Sequence, residues 1–328
     1  MSKTAILNEF SIEAVKDALQ KLESFPNLKV NGLNAYQLTE LSAIDPELFA
    51  EISDMIKADR WFPYVGTWTN TDELSEIALT KSCLYSVRYF LDNFGKKYRV
   101  FHGKKLYNNM LPQIVYSSLF DAVVLESEAE SKWLHGADDF RTLVMTADTV
   151  DINDLDDDGI SANDFISYED LADEFFDAHL ELETVFLPAG NVNPEGIEKA
   201  LVDAEKFAAI NGEDRTAKIK DAWLAYFDGE CEAAREIADG ITGGSSPDES
   251  VFKLSDGSIV LTEVKLAEDG SGDTVIRVAE TSGKEQSAYI MCDRLDAGFR
   301  FEIMPYEMPT FRIPKGSDGY SKEIYICE

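Results

Sequence analysis

The sequence predicts an α/β protein: an incomplete parallel α/β layer, then a three-helix segment, then a small antiparallel β module. Three observations carry this. Apolar strands and amphipathic helices alternate through residues 1–150, the pattern of a parallel sheet covered by helices. Helical periodicity then dominates up to a Gly-Gly-Ser-Ser-Pro stretch at 243–247, a linker by composition. Beyond that stretch the hydrophobic period switches to two, as strands require. The expected divisions are 1–150, 151–245 and 246–328.

Each element has its own signal. Val15, Leu19 and Leu22 share one helical face over 13–24, and Pro26 stops the helix. Residues 28–30 read as a short strand. Asp45 suits the cap, and Pro46 the first position, of a helix over 45–57. Residues 61–66 read as a strand with its exit loop, and 74–94 as the longest apolar-periodic helix, closed by Gly95. A strand at 98–101, a helix at 111–119 and a strand at 122–125 continue the alternation. Helices are expected over 169–181, 195–210 and 216–238, with Gly212 and Gly240 as stops. Strands at 258–265, 274–279, 287–292 and 299–303 are separated by Gly-rich turns at 269–272 and 282–284.

Charge narrows the function. The chain has 328 residues, with 62 acids against 30 Lys and Arg and a formal net charge of −32. No basic stripe is available to displace counterions from phosphates or to hold an anionic membrane surface. Nucleic acid and membrane partners are therefore not expected. No apolar run reaches the ~18 residues of a membrane span, and residues 1–10 lack a secretory pattern, so a cytoplasmic location is expected. The four cysteines are scattered without metal-ligand spacing. Cys83 lies on the stripe of Leu79 and Val87, which reads as packing. There is no P-loop, dinucleotide-binding turn or nucleophile elbow.

Several segments occur in a familiar order: Gly66-Thr-Trp-Thr-Asn-Thr-Asp72, residues 79–95, Met110-Leu-Pro-Gln-Ile-Val115, Trp133-Leu-His-Gly-Ala-Asp-Asp139 and Pro305-Tyr-Glu-Met-Pro. Together they resemble the family 38 glycoside hydrolases, the α-mannosidases. The resemblance implies a retaining hydrolase that holds one zinc. Retention needs two carboxyls about 5 Å apart, one as nucleophile and one as acid/base. The zinc needs nitrogen and oxygen ligands with one position open.

The departures fall on that chemistry. Asn70 stands where the family has a glutamate, and no histidine precedes His102 to supply the first ligands. Gly103 occupies the position of the nucleophile. Phe227 replaces the late zinc histidine, beside a retained Asp228. The expectation is a scaffold without its hydrolytic centre and without zinc. Carbohydrate or protein binding would be retained, with Trp68, Asp72, Tyr107 and Trp133 as the carbohydrate-binding candidates. The alternative is an active zinc- or calcium-dependent glycosidase with a rebuilt site. A missing opening strand would also leave an exposed sheet edge through which the chain could oligomerise.

Two metal readings come from the residues themselves. His102 and His135 with an acid could hold zinc; ordinary half-buried histidines are the plainer alternative, as for His179. Asp154, Asp156 and Asp158, followed by Gly159, match positions one, three, five and six of a calcium loop. Phe165 stands at position twelve, and Asp164 falls one residue early. The segment is either a calcium site using Asp154, Asp156, Asp158 and Asp164 or a solvated acidic loop. Acid pairs such as Asp138 and Asp139, or the Glu126, Glu128 and Glu130 run, carry little weight among 62 acids.

Overall fold

The computed structural model describes residues 3–68, 74–103, 114, 119–125, 131–136, 141–155, 165–178, 182–187, 195–255, 257–293, 295, 297–316 and 322–324. The expected helix at 111–119 and Asp72, Tyr107, Asp156, Asp158, Asp164 and His179 lie outside them, apart from Ile114 and Leu119 in that helix.

The first layer is parallel, as the alternation of strand and helix requires. Strands β1 (Lys3–Ile6), β2 (Val30–Asn31) and β3 (Trp61–Phe62) lie in the order β3-β2-β1. Between them run helices α1 (Ile12–Ser24), α2 (Ala35–Ile44) and α3 (Pro46–Lys57). Polar side chains fix their starts. Ala14 N–H donates to Ser11 Oγ, and Leu48 N–H to the Asp45 carboxylate. Asn34 and Gln37 form a reciprocal capping box on α2, a helix that periodicity did not reveal. Ser75 caps α4 (Glu76–Phe94), which ends in left-handed Gly95 at φ 66°.

A second sheet has the order β4-β5-β7-β6-β9. Its strands are β4 (Val100–Gly103), β5 (Ala122–Leu125), β6 (Lys132–His135), β7 (Arg141–Thr146) and β9 (Thr184–Phe186). The two sheets join at both sides. β7 continues through Ala147 into β8 (Asp148–Asp151), which pairs in parallel with β1. Opposite, His102 N–H of β4 donates to Val65 O just beyond β3, at 2.9 Å. A Cβ on Gly66 would stand 2.9 Å from His102 O, so this seam needs glycine. The parallel strands therefore close into a ring. β1 is flanked on both sides by β2 and β8, which corrects the expectation of a missing opening strand and an open edge there.

Period-two alternation along these strands feeds two cores. Val123, Leu125 and Val144 join one with α1–α4, while Ala122, Val124, Leu143 and Met145 join another under α5 (Tyr168–Ala178). Burial on both faces explains their nearly unbroken apolar runs.

Three helices follow: α6 (Gly196–Asn211), α7 (Thr216–Phe227) and α8 (Cys231–Thr242). The single helix expected over 216–238 is two. Gly229 at φ 82° turns the chain, its N–H reaching Tyr226 O and the next N–H reaching Ala225 O. The expected stop at Gly240 lies inside α8, which ends instead at left-handed Gly243.

The last module is two facing antiparallel sheets. One has the order β10-β13-β14, from Phe252–Leu254, Gln286–Cys292 and Ala297–Ile303. The other has the order β11-β12-β15-β16, from Ile259–Leu266, Thr274–Glu280, Thr310–Ile313 and Lys322–Ile324. Ile276, Val278, Ile290, Ile303 and Phe311 fill the space between them. No helix among the described residues is long and apolar enough to cross a membrane.

Candidate functional site

In parallel α/β layers, ligand sites lie beyond the carboxyl ends of the strands, where the following helices begin. That face is tightly built here. Leu7 N–H donates to Asn31 O, and Tyr64 N–H to Leu33 O, at 2.8 and 2.9 Å. A Cβ on Gly32 would meet Leu7 Cβ at 2.7 Å, so the chain passes there only as glycine. Leu33 follows at φ 65°, a strained left-handed conformation worth roughly 1–3 kcal/mol. The next residue, Asn34, caps α2. Below the rim, Tyr64, His102 and Tyr168 stack, with centroids 3.9 Å apart for the first pair and 5.1 Å for the second.

Polar groups gather where α2 and α4 start and where α6 and α7 lean over them. Glu198 of α6 accepts from Ser75 Oγ at 2.5 Å and from Tyr226 O–H at 2.7 Å. Both carboxylate oxygens are thus fixed, and the N-cap of α4 is tied to the bundle. Burial, then the bond to Glu198, pushes the Tyr226 hydroxyl up. Glu76 in the first turn of α4 has its Oε2 enclosed without a hydrogen-bond partner, and burial raises its carboxyl above the usual range. Asp228, just past α7, is raised by burial and then by Glu230. Tyr36 on α2 stays exposed; Glu40 foremost, then burial and Asp228, raises its hydroxyl. Groups with displaced proton affinities gathered in one region mark it as a candidate functional face.

Sequence reasoning singled out other residues. Trp68 is buried, its backbone N–H donating to Ser82 Oγ at 2.6 Å and its ring set edge-on to Tyr89. Trp133 is buried on β6 against Phe176 of α5. The two indoles belong to different cores and share no surface. His102 and His135 lie three strands apart, about 14 Å at ~4.8 Å per strand, so they do not form a metal pair. Asp154 ends a short 3-10 turn, and the neighbouring Leu155 carbonyl is taken by the Lys21 ammonium at 2.5 Å. Cys83 is buried and burial pushes its thiol up, which fits packing. Glu198 and Glu205 were missed. Seven residues apart on the apolar stripe of α6, they are an inward-facing pair that the abundance of acids hides.

No family model and no curated protein matches the sequence. Solved structures do. A glycosyl hydrolase family 38 protein of Enterococcus faecalis aligns with a TM-score of 0.54 at 12% identity, covering 97% of this chain and 55% of that one. An α-mannosidase from Enterococcus faecalis V583 aligns with a TM-score of 0.55 at 11% identity, covering 98% and 57%. The fold is α-mannosidase-like. The chain spans little more than half the length of either protein.

The mannosidase-like fold would imply a zinc, and the described residues do not fit one. Gly103 ends β4 without a side chain to offer, and its neighbour on β5 is Leu125. Phe227 is buried and stacked on Trp223, 5.8 Å between centroids. Among the described residues no three His, Cys, Asp or Glu stand close enough to hold a metal.

Proposed function

We propose that this protein binds carbohydrate on the strand-end face of a mannosidase-like scaffold and does not hydrolyse mannosides. The observation that carries the reading is Tyr36. It is an exposed ring on that face, standing in the field of the Glu40 and Asp228 carboxylates. A sugar presents an apolar ring face and a rim of hydroxyls, which suit an aromatic platform and carboxylate acceptors respectively. Gly103 and Phe227, at the positions where the resemblance expects a nucleophile and a metal ligand, support the absence of hydrolysis.

The test has two arms. Methyl α-D-mannopyranoside should bind by calorimetry, and Tyr36→Ala and Asp228→Asn should each weaken it about five- to tenfold, the worth of one good contact. An aryl α-mannoside should release no phenol, with or without added zinc. Turnover that survives purification and disappears with chelator would sink the reading.

A second reading is an active glycosidase with a rebuilt site, and Glu76 favours it. A half-buried carboxyl whose proton is held by burial is suited to act as a general acid. That reading requires turnover that vanishes in Glu76→Gln.

A further inference from the structure

We propose that the cleft between the helical bundle and the β module is a second binding site, for a neutral polyol of monosaccharide size. It lies where the last turn of α6 meets the ends of β11, β12 and β15, far along the chain from the strand-end face. The cavity is about 360 Å³, inside the roughly 300–1,000 Å³ of ligand clefts.

Its floor is apolar. Ala209, Leu266 and Ile313 are each more than nine-tenths buried and line it together. One wall is fixed in advance. Asp273 accepts from the Lys315 backbone N–H at 2.8 Å and from Arg312 Nε at 2.7 Å, and Arg312 also reaches Asp269 at 2.6 Å. The mouth is open. A Cβ built on Gly212 or Gly316 meets nothing within 4 Å.

Three polar groups select the ligand. Thr274 is 4% exposed and lines the cavity, yet its hydroxyl has no protein partner among the described residues. The hydroxyl is open to the cavity, so an occupant that bonds to it replaces water there. A wholly apolar ligand would displace that water and leave the hydroxyl unpaired. At the rim stand Lys315, a donor with no ion pair among the described residues, and Asp214, an acceptor. The carboxyl end of α6, capped by Gly212, adds partial negative charge. An anion would face Asp214, this helix end and the −32 charge of the chain, while a cation would face Lys315. A neutral molecule bearing several hydroxyls, with an apolar side for the floor, satisfies every group.

Glycine amides make the site readable. Gly212, Gly272 and Gly316 line it, and their ¹H–¹⁵N resonances can be followed in the intact chain during titration with methyl α-D-mannopyranoside. Saturable shifts of these three amides are expected, with mannose 6-phosphate binding more weakly. Thr274→Val, which keeps shape and removes the hydroxyl, should weaken the fitted affinity about fivefold, the worth of one neutral hydrogen bond. Leu266→Phe, which fills the floor, should abolish the shifts and serves as the independent variant if Thr274→Val is poorly folded. Tyr36→Ala should leave them unchanged, which separates this site from the strand-end face. Static glycine amides in the wild type overturn the proposal whatever happens at Tyr36. So does tighter binding of the phosphate, or wild-type affinity in both Thr274→Val and Leu266→Phe.

Discussion

Lys81 carries a charge into the centre of the protein. It sits on α4, 2% exposed, with its ammonium 2.9 Å from Glu205 of α6 and in contact with Glu263 of β11. Burial opposes the charge, but Glu205 and Glu263 outweigh it and hold the proton more tightly than water would. Burial also opposes ionisation of Glu263, yet Lys81 and Lys265 bring its carboxyl down to about 2. Glu205 goes the other way, raised by burial despite Lys81. Its second oxygen accepts from Trp223 Nε1 at 3.0 Å. Removing one member of such a cluster strands the others. Lys81→Met should cost about 3–5 kcal/mol in urea unfolding, whereas adding Glu205→Gln and Glu263→Gln to it should recover most of the loss. Equal instability of the single and triple variants would show that packing, not charge, is at stake. The sequence could not announce this cluster, because Lys81 and Glu263 are 182 residues apart and each looks like an ordinary polar position on an amphipathic element. The same reason hid Glu198 and its bond to Ser75.

At the scale of elements, local chemistry was the readable part. Asp45 and Gly95 cap the helices expected of them, and the four long strands of the last module fall where period two places them. Short strands such as β6 and β8 were not readable, since a few residues give no period to detect. Helix α2 was hidden by its weak alternation, although its Asn-x-x-Gln cap was in view. The expected helix over 216–238 failed because Gly229 and Gly240 look alike in one dimension and differ in backbone conformation. That difference gives opposite outcomes for one substitution. Gly229 sits at φ 82° with open space around its Cα, so Gly229→Ala should destabilise by about 1 kcal/mol through backbone strain alone. Gly240 lies in the interior of α8, also with open space, so Gly240→Ala should stabilise by about 0.5–1 kcal/mol. Thermal melts of the two variants should move in opposite directions, and a shared direction would contradict the assigned break.

Over the whole molecule, fold class was legible and closure was not. Alternation gives parallel strands between helices, but nothing local shows that residues 141–151 serve two sheets in succession, or that Val65 and His102 seal the other side. Charge was legible as a total, −32, and its distribution was not. Among the described residues most acids are exposed and act through mutual repulsion, which weakens as acid is added. Glu280 behaves differently. It is 1% exposed, and its carboxylate accepts from the N–H groups of Ser282, Gly283 and Tyr306 at 2.6, 2.7 and 3.0 Å. Burial opposes its charge, but these bonds, led by the Ser282 side chain, bring it down to about 2 from an ordinary 4.5. The folded state therefore binds this proton less tightly than the unfolded state. Its contribution, on the order of 3 kcal/mol, is complete above pH 4.5 and is lost as the pH falls towards 2. General repulsion obscures this in the wild type alone, yet it is nearly common to wild type and Glu280→Gln. The difference in urea stability between them should hold constant from neutral pH to about 5, then close between pH 4.5 and 2. A difference that stays fixed through that interval would mean the turn at 280–283 is held by shape rather than by the charge of Glu280.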